Sequence, residues 1–370
     1  MDELRLKGFK CFADSTLNLN QVTILTGNNG SGKSSVIQAL LLLREAVERC
    51  ARRVDVRNTW EWSENVLQLN NYRKLQLGGY DDICHVAADD ISIGINGVDF
   101  QVEEDEEHAG SICMRVDAKA LNTLPAYLTQ KEFYYLNAER IGPRVQSEML
   151  HTDYPQSGDC GELAGNVLLD ASKTFPKVEK ERLFEEEDSL NFNIQVDKWM
   201  SYIFSEVSVK SEPITAQVCR IRLRGSRVIT TTPNTGFGYT YALPIVIDGL
   251  IAKRGSLLIV ENPEAHLHPR AQSNIGYFLG KMGAAGLKIV IETHSEHVVN
   301  GIRRASLSNW GLNPEDVSIY FFQNVQEGCS YLPITIDENG NLSDFPVDFF
   351  DQVRQDMLTI IRLAAKRKKE

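Results

Sequence analysis

Gly27-Asn28-Asn29-Gly30-Ser31-Gly32-Lys33-Ser34 is the stretch that decides the fold. It has the spacing of a phosphate-binding P-loop (Walker A). An apolar run, Val22-Thr23-Ile24-Leu25, precedes it, and Ser35 to Leu43 continues with helical character, so the motif sits in a strand–loop–helix setting. Glycines let successive backbone N–H groups turn inward around phosphate oxygens with no Cβ in the way, and the following helix presents its electropositive N-terminus. In this reading Asn28, Asn29, Gly30, Ser31, Gly32, Lys33, Ser34 and Ser35 form the cradle, Lys33 reaches the β- and γ-phosphates, and the Ser34 hydroxyl ligates Mg²⁺. The segment implies that the chain binds a nucleoside triphosphate.

The bulk properties bound what can surround this loop. A chain of 370 residues suffices for two or three domains, or for one large domain with an inserted lobe. Apolar residues at 42% and charged residues at 24% are ordinary globular values, so a sizeable core is expected. A net charge of −11 argues against broad nucleic-acid binding, which relies on Lys and Arg, and leaves only a local basic groove open. The basic run Lys366-Arg367-Lys368-Lys369 reads most simply as a solvated helix end. Seven widely spaced cysteines without a C-x-x-C pair predict reduced thiols rather than a disulfide framework or zinc ribbon. With no leader pattern at Met1-Asp2-Glu3-Leu4-Arg5 and no apolar stretch near 18 residues, the expectation is a cytoplasmic protein with no membrane contact.

Outward from the loop, residues 1–27 alternate as short strands and residues 34 to about 53 read as a helix. Between Val66 and Val102 strand-like pieces are broken by turn signals, of which Asn96-Gly97 is the strongest, and an acidic loop, Glu103 to His108, follows. Phe133 to Asn137 reads as a buried strand, and residues 161–205 as mostly helical with a solvated charged patch from Lys177 to Asp188. Strands return at 216–223 and 227–231. No heptad seam persists, so no long coiled-coil arm is expected.

Two later strands end in acids. Ser256-Leu257-Leu258-Ile259-Val260-Glu261 runs into Asn262-Pro263-Glu264-Ala265-His266-Leu267-His268-Pro269, and Leu287-Lys288-Ile289-Val290-Ile291-Glu292 runs into Thr293-His294-Ser295. A buried parallel strand that ends in an acid presents that carboxylate, here Glu261, at its C-terminal edge to the Mg²⁺ shell, and the second run places a histidine, His294, at the same sheet edge.

Taken together the residues resemble ATP-binding-cassette (ABC) ATPases of the SMC and recombination-repair type, and within them the OLD-like ATPases of bacterial phage-defence operons. The resemblance rests on Leu6 to Phe12, on the E-x-P-E-x-H-L-H-P-like stretch Glu261 to Pro269, on Gly236-Phe237-Gly238 ahead of Leu243-Pro244, and on Thr293-His294-Ser295. Asn137 to Arg144 and Ile336 to Asp351 point to a predicted-ATPase subgroup with a short C-terminal module. For Asp337 to Gly340 the simpler meaning is a turn before a final helix.

The resemblance implies an α/β fold of the ABC-type P-loop NTPase class: a mixed β-sheet core, an antiparallel β lobe, and a helical insertion between Walker A and signature. It implies a single discontinuous domain, with lobes 1–135 (P-loop and antiparallel β), 136–215 (insertion), 216–335 (signature, Walker B, switch histidine) and 336–370. It implies ATP and Mg²⁺ as cofactors, with Ser34 and Glu261 as metal ligands. His294 would act on the γ-phosphate or attacking-water side. Gly236, Phe237 and Gly238 form a signature that completes the site of a second protomer, so the working unit is a homodimer or higher oligomer.

One position departs from the hydrolysing pattern. Asn262 stands where a water-polarising glutamate follows the metal acid, and an amide orients water but accepts no proton. A general base is worth about 10²–10⁴-fold in rate, so slow hydrolysis is expected, with Glu264 a candidate to take over. The favoured function is an ATPase whose nucleotide-dependent dimerisation gates a separately encoded effector, such as a nuclease, in anti-phage (antiviral) defence. The alternatives are a non-hydrolysing ATP-dependent scaffold and a DNA-repair or chromosome-associated ATPase. His266, His268, His294 and His297 lack metal-ligand spacing, and zinc is not expected.

Overall fold

The computed structural model describes all residues except 55–58, 64–65, 72–74, 186–187, 226–228, 326–327 and 368–370. The parts of the readings above that fall on residues 72–74, 186–187, 227–228 and 368–369 therefore lie outside the described residues. A central six-stranded sheet runs in the order β12 (Tyr134–Leu136), β17 (Leu257–Glu261), β18 (Lys288–Glu292), β3 (Val22–Gly27), β19 (Val317–Val325), β20 (Gly328–Ile334). Its first five strands are parallel and β20 returns antiparallel as a hairpin partner of β19, so the sheet is mixed.

A second, antiparallel sheet is ordered β2 (Phe12–Leu19), β1 (Asp2–Phe9), β9 (Ile91–Ile95), β10 (Val98–Glu104), β11 (Ser111–Arg115), β6 (Leu67–Gln68). Asn96 and Gly97 make its tight β9–β10 hairpin, with φ of 50° and 78°, the left-handed pair that such a turn requires. A third, smaller sheet joins β13 (Ser147–Glu148), β15 (Val218–Arg224) and β14 (Ser208–Pro213), with β16 (Ile229–Thr231) on β15. Two short ribbons pair β4 (Ala51–Val54) with β5 (Thr59–Trp62) and β7 (Asn70–Asn71) with β8 (Leu75–Gln76).

The helices are α1 (Lys33–Cys50), the single turns α2 (Tyr80–Ile83) and α3 (Ala126–Thr129), α4 (Ala164–Thr174), α5 (Phe192–Phe204), α6 (Phe237–Ile251), α7 (Pro269–Ala284), α8 (Glu296–Ser306) and α9 (Gln352–Arg367). The first helix stops at Cys50 because Arg52 and Arg53 extend into β4 instead. Between residues 136 and 215, α4 and α5 supply the expected helices, with strands β13 and β14 beside them.

Alternation along the central strands divides the interior in two. Val22, Ile24, Leu258, Val260, Ile289 and Ile291 face one core, which they share with Trp199 of α5, Ile245 of α6, Phe278 of α7 and Val298 of α8. Leu25, Leu257, Ile259 and Val290 face the other, against α1 and the antiparallel sheet. This is the period-two pattern of strands buried on both faces. It also fixes which way the terminal acids emerge, because Glu261 and Glu292 have the parity of Ile259 and Val290 and so project on the side of α1.

Candidate functional site

The turn after β3 brings the Gly27–Ser34 loop against the C-terminal ends of the flanking strands, with Ser34 on Glu292 of β18 and the Asn28 N–H on the Phe322 carbonyl of β19, at the sheet edge that α/β proteins use for ligands. Gly32, with φ of 101°, caps α1, whose N-terminus has no side-chain cap and no acidic residue in its first turn. The helix therefore offers uncapped N–H groups and the positive end of its dipole to an anion. Lys33 is only 3% exposed, and its ammonium folds back to donate to the carbonyls of Gly27 (3.1 Å) and Asn28 (2.7 Å). Burial holds the Lys33 pKa below the usual lysine value, opposed by the charge of Glu292. Ser31 Oγ donates to Asn28 O at 2.7 Å, closing the loop.

Three carboxylates crowd the same edge. Glu292 accepts from the Ser34 hydroxyl on both oxygens, at 2.9 and 3.1 Å, and lies 4.0 Å from the Lys33 ammonium. Burial, reinforced by the charge of Glu261, pushes its pKa up to about 7. Glu261, paired in register with Glu292, accepts from Tyr135 Oη at 2.9 Å. Its pKa is raised by burial, against the Tyr135 bond and the Ala138 backbone N–H. Glu264 accepts from Thr293 Oγ1 and from the His294 backbone N–H, each at 2.7 Å, and so braces the switch turn.

His294 is exposed beside the loop, its ring hydrogen-bonded to the Gly27 backbone, and its pKa is lowered by burial of part of the ring and then by Lys33. Asn262 has φ of 43°, and its backbone N–H donates to Glu292 O at 2.8 Å. Its side-chain Oδ1 is buried without a partner. Asparagine tolerates the left-handed region better than other residues with a Cβ, which gives a local reason for an amide here. Arg140 grips both sides of this corner, donating to Glu261 O at 2.6 Å and Asn262 O at 2.5 Å, with its guanidinium 5.3 Å over the Tyr241 ring. Burial lowers its pKa to about 10.

The fold thus gathers Asn28 to Ser35, Glu261, Asn262, Glu264 and His294, and adds Glu292, Tyr135 and Arg140, for which the sequence reading assigned no site role. Gly236, Phe237 and Gly238 stand elsewhere, at the N-terminus of α6, where the Phe237 ring lies 5.2 Å from that of His266. His268 caps α7 by accepting from Arg270 N at 3.3 Å, and no cluster of three or more His, Cys, Asp or Glu suited to a metal occurs among the described residues. A cavity of about 390 Å³ opens over the loop, walled by Gly27, Asn28, Asn29, His294, Phe350 and Gln352. A hollow of about 410 Å³ beside Gly142, Glu148 and Thr240 contains none of the residues gathered at the loop, so size alone does not mark the chemistry.

Comparisons with known proteins bear on the family and the fold. A family model described as an AAA ATPase domain matches residues 103–299, one described as an AAA domain matches residues 3–43, and one described as a protein of unknown function (DUF3696) matches residues 312–360. No curated protein matches the chain. In fold the chain is similar to an SMC head bound to the C-winged helix domain of ScpA, with TM-score 0.53 and 11% identity, over 91% of this chain and 98% of that one. It is also similar to an SMC head domain with an extended coiled coil bound to the C-terminal domain of ScpA, derived from Pyrococcus furiosus, with TM-score 0.51 and 12% identity, over 98% and 100%. At such identity the likeness is one of fold.

Proposed function

Because the chain belongs to the AAA ATPase domain family, we propose that it binds Mg²⁺·ATP around Lys33 and hydrolyses it slowly, as a homodimer or higher oligomer. The observation that carries the reading is the state of Lys33, a buried ammonium turned onto its own loop carbonyls beside an uncapped helix N-terminus. Triphosphate oxygens would replace those carbonyls as its partners. Lobes 1–135, 136–215, 216–335 and 336–370 then act as discontinuous parts of one ATPase domain. Gly236, Phe237 and Gly238 meet the phosphates held by the other protomer.

Magnesium fits the donors present, which are hard oxygens: the Ser34 hydroxyl and the neighbouring carboxylates. Ser34 and Glu261 would hold it, and it would supply charge neutralisation on the phosphates. The chain's own groups do the rest. Lys33 orients the β- and γ-phosphates, His294 stands on the γ-phosphate side, Glu264 fixes the His294 turn, and Asn262 Oδ1 offers an acceptor to the attacking water. With an amide at that position, turnover is slow.

We further assign the chain to the OLD-like group, on Glu261 to Pro269 and Asn137 to Arg144, and place it in the cytoplasm as an ATP-gated partner of a separately encoded effector, such as a nuclease, in phage defence. No helix among the described residues is long and apolar enough to cross a membrane. Asn262 also favours a second reading, a scaffold that keeps its ATP.

Calorimetry with Mg²⁺·ATP tests the core: uptake by the wild type and its loss in Lys33→Ala are expected, and no uptake by folded wild-type protein refutes the proposal. ADP recovered with the purified protein supports turnover, whereas retained ATP supports the scaffold. Degradation of nucleic acid by the protein alone contradicts an effector acting in trans.

A further inference from the structure

Cys11 and Cys329 stand 318 residues apart in the chain and meet beside Gly32 of the P-loop. Cys11 lies in the turn from β1 to β2, and Cys329 is the second residue of β20. The Cys329 N–H donates to the Cys11 carbonyl at 3.3 Å, and the Cys329 thiol donates to the same oxygen at 3.5 Å. Hydrogen-bonded neighbouring backbones run about 4.5–5.5 Å apart, inside the roughly 4.4–6.8 Å that a disulfide spans between Cα atoms. A Cβ on Gly32 would lie 2.6 Å from Cys11 Sγ and 3.1 Å from Cys329 Sγ, so the two sulfurs fill the space that this glycine leaves. Both cysteines are free and partly exposed.

The two thiols are not alike. Cys11 Sγ packs at the N-terminus of α1, whose dipole favours an anion. Its pKa is lowered chiefly by a hydrogen bond from the Cys329 thiol and then, against partial burial, by the Ser35 hydroxyl and the charge of Lys10. The Cys329 pKa is raised, first by that same bond and then by burial. A thiolate in contact with a protonated thiol is the arrangement of an oxidisable cysteine and its resolving partner. Cys84, bridged to Phe9 nearby, turns its sulfur onto the carbonyls of His85 and Ala88, each at 3.8 Å.

We propose that Cys11 and Cys329 form a modification site for hydrogen peroxide, and that the disulfide it leaves loosens the hold of the P-loop on nucleotide. The second clause rests on the reading of the P-loop as an ATP site. The Cys11 thiolate attacks one peroxide oxygen, an S–O bond forms, the O–O bond breaks and hydroxide leaves, so the peroxide gains the two electrons that sulfur loses. The Cys329 sulfur then attacks the Cys11 sulfur, the S–S bond forms, the S–O bond breaks, and the departing hydroxide leaves as water with the Cys329 proton. Bonded sulfurs sit only about 2.0 Å apart. Both already pack on Gly32, so drawing them together shifts the support under the residue that caps α1 and faces phosphate. Thiol exchange with a reductant restores the pair.

The test treats reduced full-length protein with hydrogen peroxide, alkylates the remaining thiols and maps disulfides by peptide mass spectrometry. A link between Cys11 and Cys329 is expected, and it should form in Cys84→Ser as well. Cys329→Ser is expected to stop at a sulfenic acid on Cys11, trapped by dimedone. Calorimetry with Mg²⁺ and a non-hydrolysable ATP analogue is then expected to show affinity at least about fivefold lower in the linked protein than in the reduced one, with full recovery after dithiothreitol. Thiols left free by peroxide, links to other cysteines in place of this one, or a linked protein of unchanged affinity overturn the proposal. If the reduced wild type takes up no analogue, the ATP-site reading falls, while the mapped link still decides whether the pair is a modification site.

Discussion

Two glycines of the same loop should respond very differently to a single methyl group. Gly27 closes β3 with φ of 128°, and a Cβ there would lie 2.1 Å from the carbonyl oxygen of Phe322, 2.7 Å from its nitrogen and 2.9 Å from its carbonyl carbon. All three are backbone atoms of β19, the strand paired with β3 at this residue, so relief requires the strands to part. Backbone strain of about 1–3 kcal/mol, crowding of about 1–3 kcal/mol and a lost ladder bond of about 0.5–1.5 kcal/mol give Gly27→Ala a cost of roughly 2.5–7.5 kcal/mol. That is a large share of the roughly 5–15 kcal/mol that holds a typical domain. Gly30, with φ of 71°, has nothing within 4 Å of the equivalent point, so Gly30→Ala carries only left-handed strain of about 1–2 kcal/mol. Urea unfolding at matched m-values measures both. If Gly30→Ala loses as much as Gly27→Ala, or Gly27→Ala unfolds within about 1 kcal/mol of wild type, the close approach of β3 and β19 at the loop is wrong.

The remaining predictions concern the acidic corner and one buried carboxyl. Asn262→Glu should lose about 1–2 kcal/mol in urea unfolding because of the φ of 43°, and Asn262→Gly less; equal losses would remove backbone conformation as the cause. Glu264→Gln should keep turnover within a few-fold, since an amide can accept from His294 N–H and donate to the Thr293 hydroxyl, whereas Glu264→Ala loses both bonds and about 1–3 kcal/mol. A fall of about 10²–10⁴-fold in single-turnover rate for Gln as well would make Glu264 the proton acceptor. Asp248 is fully buried, holds Ser157 N at 2.8 Å and Oγ at 2.6 Å, and burial raises its pKa to about 7. The folded state therefore keeps a proton that the unfolded chain releases near pH 4, so stability is greatest below that and falls as pH rises toward 7. The loss is roughly 2–4 kcal/mol. Asp248→Asn should flatten unfolding free energy measured from pH 5 to 8, leaving the slope due to Glu292 and Asp197, which burial also pushes up, to about 7 and about 6.

How legible the site was depends on how local each signal is. The P-loop, the runs Leu257–Val260 and Ile289–Ile291, and the Asn96-Gly97 turn are properties of a few adjacent residues, and all appear where read. Glu292 carried the same signal as Glu261, an acid after an apolar run, yet its closeness to Ser34 depends on strand order. That order joins β3 to strands more than 260 residues away, which no local pattern encodes. Arg140 stood in a stretch marked as distinctive, but its work on the Glu261 and Asn262 carbonyls exists only once β12 and β17 are neighbours. Asn262 was readable as a missing base, and the left-handed backbone that suits an amide was not.

The interior position of β3 has a consequence for how the molecule is made. Both of its edges are covered by strands synthesised far later, β18 at 288–292 and β19 at 317–325. At about 5–20 residues per second, the ribosome takes on the order of 15–60 s to travel from Gly27 to Val317. Throughout that interval the nascent chain carries an apolar strand with two open edges, a target for holdase chaperones. Nucleotide can assist folding only after that delay, once the last parallel strand has emerged.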